Sequence, residues 1–155
     1  MKRQRILLYL GVLALLNACT PSPKPIEYGV DKCAYCTMTI VDRQHAAEVV
    51  TDKGRVYKFD AIECMVNYLG QERETNFAFR LVNDFNAPGE WVDATTAHYL
   101  ISPNLPSPMG AYLSAFATPE AAREMQAAKG GEVFEWPALN RHLKKEGIVR
   151  FSEFE

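Results

Sequence analysis

HAAEVVTDKGRVYKFDAIECMVNYLG, residues 45–70, holds the fold in miniature. Its first part, 46–51, is apolar and rich in valine, as a strand requires. Asp52-Lys53-Gly54 is a turn signal, and 55–59 alternates polar and apolar like a returning strand. Residues 45–59 therefore read as a β-hairpin. Asp60 stands where a helix N-cap is expected. Ile62, Met65, Val66 and Leu69 recur at helical spacing, and Gly70 can close that helix. A hairpin that runs straight into a short helix makes the expected class α+β.

Downstream, 77–82 reads as strand, 83–90 as a turn-rich loop around Pro88-Gly89, and 91–93 and 98–101 as short strands. The second half then echoes the first. A loop over 102–110 ends in Pro108-Met109-Gly110, and 113–117 reads as strand. Thr118-Pro119-Glu120 gives a cap, a first-turn proline and an acid. A helix through Ala121, Ala122, Met125 and Ala128 stops at Gly130-Gly131, before a strand at 132–136 and a C-terminal helix over 137–145. Phe59-Asp60 matches Ala117-Thr118. The expectation is two small related strand-helix-strand units packed together, with halves at 31–101 and 102–155. Chance recurrence of a common unit is the alternative.

The N-terminus reads as targeting sequence. Lys2, Arg3 and Arg5 precede an apolar run at 6–16, shorter than the ~20 residues of a membrane-spanning helix. Leu16-Asn17-Ala18-Cys19 has the form of a lipoprotein cleavage site. Residues 1–18 are thus expected to be a lipoprotein signal peptide, with Cys19 lipidated and inserted in membrane lipid; a plain signal peptide with a chance cysteine is the alternative. Residues 19–30 form a Pro-rich tether, which prolines stiffen and extend, and 31–155 the folded domain. The expected location is the cell envelope, with inner and outer membrane both open.

Composition excludes several classes. The net charge of −2, with scattered Lys and Arg, offers nothing to nucleic acid. Four cysteines are too few for a disulfide-dense scaffold. No nucleotide loop, catalytic triad or metalloprotease helix is present, so no enzyme activity is expected. Asp60 and Glu63 fall at a helix N-terminus, where acids are expected for dipole reasons.

The chemistry lies in Cys33-Ala-Tyr-Cys36-Thr-Met38. Cys33 and Cys36 have four readings: paired metal ligands, a redox pair, half a zinc site, or a structural disulfide. Zinc would need a second ligand pair of similar spacing, which the chain lacks. Met38 adds a thioether, which binds copper(I) usefully and zinc poorly, so the expected ion is copper(I). Met109, between proline and glycine on a loop, is a candidate donor from far along the chain. His45, Cys64 and Met65 are weaker candidates. Cys64 falls between apolar helix positions and reads as a buried, inert thiol, with pairing to Cys33 or Cys36 as the alternative. Met65 and Met125 read as helix-packing residues, and His45 as a partly exposed strand residue.

The order of these pieces resembles the NosL family, lipoprotein accessory factors of nitrous oxide reductase. The resemblance runs through Leu16-Asn17-Ala18-Cys19, the sulfur motif, His45-Ala46-Ala47 and Tyr57-Lys58-Phe59-Asp60. It continues through Cys64-Met65, Tyr68-Leu69, Ser107-Pro108-Met109-Gly110, Phe116-Ala117, Glu120-Ala121-Ala122 and Gly130-Gly131-Glu132. It implies a periplasmic copper(I) chaperone that helps load nitrous oxide reductase, through the apo-enzyme or its assembly machinery. It implies a fold of two related α+β units like that of organomercurial-lyase relatives, and sulfur donors at Cys33, Cys36, Met38 and Met109. A lipid anchor would also hold such a donor near a membrane copper exporter. The family usually has glycine before the motif's methionine; here the residue is Thr37.

Overall fold

The computed structural model describes residues 20–72 and 75–148. The expected signal peptide, residues 1–18, and the lipidated Cys19 lie outside them. The hairpin comes first, β1 (Ala47–Thr51) and β2 (Val56–Phe59), followed by helix α1 (Ile62–Gln71). Strands β3 (Phe77–Asp84), β4 (Ala87–Asp93), β5 (His98–Ile101) and β6 (Leu113–Phe116) follow. Helix α2 (Pro119–Lys129), strand β7 (Glu132–Glu135) and helix α3 (Trp136–Lys145) complete the order.

The strands form two antiparallel sheets, β2-β1-β3-β4 and β6-β5-β7. Each is built from a hairpin, a helix and a third strand that returns to the free side of the hairpin's first strand. β1 is therefore flanked by β2 and β3, as β5 is by β6 and β7. The two units share one ββαβ topology, and the α+β expectation stands. β1, central and paired on both sides, is buried at every position, which is why its run is nearly continuous in apolar residues. The main core joins the units through Ile40, Phe59, Ile62, Met65, Tyr99, Leu113, Leu139 and Leu143. A smaller core under α2 holds Leu100, Leu105, Phe116 and Ala122. Tyr99 and Leu100, neighbours on β5, serve opposite faces of the second sheet, as strand alternation requires. The sheets are stitched where the Phe85 N–H donates to the Ala115 carbonyl at 2.8 Å.

Several local readings change. The N-cap of α1 is Ala61, and Asp60 instead accepts a 3.4 Å hydrogen bond from the Val41 N–H. Gly70 lies inside α1, which runs on to Gln71. The stretch 83–90 is not a loop: β3 and β4 meet across Phe85-Asn86, and Pro88-Gly89 sits within β4. β4 is an edge strand, where a residue without an N–H costs no ladder bond. β5 pairs with β6 and β7, so the units meet at the turn 94–97 and not at 101/102. Thr118 caps α2 as expected, its hydroxyl accepting from the Ala121 N–H at 3.2 Å.

The tail of the Pro-rich segment is folded onto the first sheet. The Lys24 N–H donates to Glu48 Oε1 at 2.9 Å, Lys58 Nζ donates to the Pro25 carbonyl at 2.7 Å, and Ile26 enters the main core. No helix among the described residues is long and apolar enough to cross a membrane.

Candidate metal centre

The sulfur motif occupies a tight loop laid over the end of β2. Lys32 and Thr39 form an isolated antiparallel bridge. Inside it, the Cys33 N–H donates to the Met38 carbonyl at 2.8 Å and the Thr37 N–H to the Cys33 carbonyl at 3.0 Å. The chain closes this circuit by passing Thr37 through the left-handed region at φ +66°. That region suits glycine and is costly for a β-branched side chain, so the position asks for the glycine usual in the resembling family. The Ala34 N–H donates to the Lys58 carbonyl at 2.8 Å, which fixes the loop against β2.

The next residues after β2 enter the first turn of α1, where Cys64 lies. Loop and helix therefore converge. The sulfurs of Cys33, Cys36 and Cys64 all lie within 4.8 Å of one another, and all three thiols are free. Among the described His, Cys, Asp and Glu residues, this is the one group of three or more so arranged. Cys33 and Cys64 are 2% and 1% exposed while Cys36 is half-buried, so the cluster opens to solvent on the Cys36 side.

The three thiols are not equivalent. Cys33 is pulled down to about 5, first by the hydrogen bond from the Cys64 thiol and then by the N–H groups of Cys36, Asp60 and Tyr35, against the opposing effect of burial. The Cys36 N–H lies 3.5 Å from its sulfur. Cys64 is pushed far up, by donating to Cys33, by burial and by the nearby charge. Cys36 is raised mainly by burial. The cluster thus holds one thiolate in a nest of donors beside two thiols. Thiolate is the form that binds metal, so a soft cation meets one ready ligand and two that each release a proton.

Met38 and Met109 lie on loops and are large exposed apolar residues, at 51% and 41%. Met109 belongs to the β5–β6 connection, whereas the Met38 loop precedes β1, so the two are not equivalent positions in the repeated unit. The Met109 loop is held to α1 by Glu63, whose Oε1 accepts from Ser107 Oγ at 2.7 Å and from the Ala111 N–H at 3.2 Å. Met65 is fully buried in the main core.

His45 lies just before β1, not on it, and is buried. Its Nδ1 is 3.1 Å from Asp42 Oδ1, which can only accept, so Nδ1 carries the proton. Its Nε2 is 3.2 Å from Ser114 Oγ on β6. Both ring nitrogens are thus engaged, Nδ1 within the first unit and Nε2 across to the second, and His45 is not part of the thiol group.

The structure therefore joins Cys33 and Cys36 to Cys64, which sequence reasoning ranked lower, and shows Glu63 as a buried connector. The signal for Cys64 was its place in the first helical turn after a hairpin. Nothing in the spacing said that the Cys33 loop folds back over that turn.

A family model described as NosL matches residues 26–143. The chain is 28% identical over 124 residues to a Stutzerimonas stutzeri protein described as copper-binding lipoprotein NosL. That match covers 75% of this chain and 65% of the relative, so the chain spans just under two thirds of its length. The crystal structure of the copper chaperone NosL from Shewanella denitrificans superposes with a TM-score of 0.64 at 17% identity. It covers 75% of this chain and 93% of that one, a likeness of fold. With the family model spanning both units and all three cysteines of the cluster, the chain belongs to the NosL family.

Proposed function

We propose that this protein is a copper(I) chaperone of the cell envelope, anchored by lipid at Cys19. It would deliver copper, its cargo, for assembly of the copper centres of nitrous oxide reductase. The observation that carries the reading is the group of three free cysteine sulfurs within 4.8 Å of one another. An all-sulfur donor set flanked by loops with exposed thioethers suits a soft monovalent ion. The names of the Stutzerimonas and Shewanella proteins agree with copper as that ion.

Transfer, not turnover, follows from the opening at Cys36. An acceptor's ligand can enter on that side while Cys33 and Cys64 still hold the ion, so copper passes by ligand exchange and is never free. A thiol-disulfide exchange role fits less well. Its attacking thiolate should be accessible and at a helix N-terminus, whereas Cys33 is buried on a loop.

The test is anaerobic copper(I) titration against a chromophoric competitor, with a thiol count. One copper per chain and loss of affinity in the Cys33→Ser, Cys36→Ser double variant are expected. Full affinity in that variant would sink the assignment.

A further inference from the structure

Glu63 is a helix-start acid that is 3% exposed, whereas acids placed for the helix dipole normally face water. One of its oxygens, Oε1, takes both the Ser107 hydroxyl at 2.7 Å and the Ala111 N–H at 3.2 Å. Those two residues bracket Met109, each two positions away. The next residue of the helix after Glu63 is Cys64, in the thiol cluster. A single carboxylate oxygen therefore clasps both ends of the Met109 turn and ties it to the turn of α1 that supplies a sulfur. The other oxygen, Oε2, is buried with no hydrogen-bond partner. A carboxylate half satisfied in this way is a poor choice for packing alone, since a neutral side chain would fill the site at less cost.

The backbone of that loop gives an independent sign. Among the described residues, two that are not glycine have positive φ: Thr37 at +66° and Tyr112 at +56°. Thr37 adjoins Met38, and Tyr112 follows the Met109 turn after Gly110, itself at +79°. Strained backbone persists where its surroundings over-determine it, and it collects at sites that must hold a side chain in place. Both methionine-bearing turns carry that strain, and both are pinned to elements bearing the cysteines. Met38 is pinned by the Cys33 N–H donating to its carbonyl, and the Met109 turn by Glu63.

We propose that Glu63 is the positioning residue that sets the Met109 thioether relative to the thiol cluster. The proposal rests on the copper reading above. Glu63 does not touch the ion; it couples the second unit's loop to the first unit's sulfurs, so that copper meets a fixed thioether as well as thiolates.

The experiment compares copper(I) affinity, by competition, in the full chain and in Met109→Leu, Glu63→Leu, their double variant and Glu63→Gln. Glu63→Leu should weaken binding by about 10–100-fold, the range for residues that orient metal ligands. Met109→Leu should match it, and the double variant should be no weaker than either single one. Glu63→Gln keeps an acceptor oxygen for Ser107 and Ala111 and should bind nearly as the parent does. X-ray absorption at the copper edge should show the same loss of sulfur neighbours in Glu63→Leu as in Met109→Leu, which a role in stability alone would not produce. Should Glu63→Leu fail to fold, Ser107→Ala removes only the 2.7 Å bond and carries the test with the same sign. Additive losses in the double variant, or full affinity in Glu63→Leu or Met109→Leu, would overturn the proposal. Full affinity without Cys33 and Cys36 would instead overturn the copper site itself.

Discussion

Changing Glu48 to glutamine should remove a specific pH dependence from folding. Glu48 is fully buried on the central strand β1, opposite Lys58. Its Oε1 accepts from the Lys24 N–H, and its Oε2 is buried without a partner. Burial, opposed by that hydrogen bond and by Lys58, raises the carboxyl from 4.5 to about 7. The folded protein then holds a proton that the unfolded chain releases, so stability falls as pH rises. The contribution is complete below 4.5 and lost as pH passes 7. At ~1.4 kcal/mol per tenfold change in proton affinity, the full shift is worth at most about 3 kcal/mol, and ~2 kcal/mol once screening near Lys24 and Lys58 is allowed for. Urea denaturation at several values between pH 4.5 and 8 gives the slope. Glutamine keeps the acceptor for Lys24 but cannot titrate. The parent should therefore lose ~2 kcal/mol more than the variant over that range. Subtracting the two curves cancels the other titrating groups, Cys33 included, whose lowered value acts with the opposite sign. Parallel curves would refute the claim that Glu48 is held protonated by burial.

Three further outcomes follow. At Thr37, with φ +66°, glycine should give a more stable protein than alanine by about 1 kcal/mol, the reverse of the usual order; equal urea midpoints would count against the left-handed turn. Cys64→Ala removes the main donor to Cys33, so the thiolate absorbance of Cys33 should titrate at higher pH than in the parent, and an unmoved midpoint would contradict the shared hydrogen bond. Tyr99→Phe deletes a buried 2.6 Å hydrogen bond to the Ala94 carbonyl at the junction of the units. It should cost about 1–3 kcal/mol in the same denaturation assay, because the carbonyl is left unpaired.

The first unit was legible because residues 45–70 combine strand alternation, a glycine turn and helical spacing in one uninterrupted run. Thr118-Pro119 announced α2 through a side chain that can make only one kind of cap. Where the reading failed, partners distant in sequence decided the outcome. Pro88-Gly89 signals a turn by itself, yet it lies within edge strand β4, in the register shift between the Asp84–Ala87 and Asn83–Trp91 pairs. Asp60 has the chemistry of a cap, but the loop that holds Val41 uses its carboxylate first. Cys64 showed the same limit at the site. Periodicity places it in an apolar helix, and only the fold-back of residues 29–40 brings two more sulfurs to it. Glu63 reads as an ordinary first-turn acid because its two donors lie 44 and 48 residues away.

The repeated ββαβ frame is loaded on one side only, and its connectors explain why. Aligning the helix starts at Ala61 and Thr118 sets Glu63 against Glu120 and Cys64 against Ala121. Placing a thiol at Ala121 would still build no second cluster. The first unit is entered through a long lead-in with room for the folded-back cysteine loop, whereas β5 is entered from β4 across the short turn 94–97. Half of a twofold frame is thereby freed from carrying sulfur ligands in its own lead-in. The long connection of the second unit is instead the one between β5 and β6, which reaches across to the first unit through Glu63. That the described residues hold one thiol cluster and not two thus follows from the spacing between the units, more than from the residues that line them.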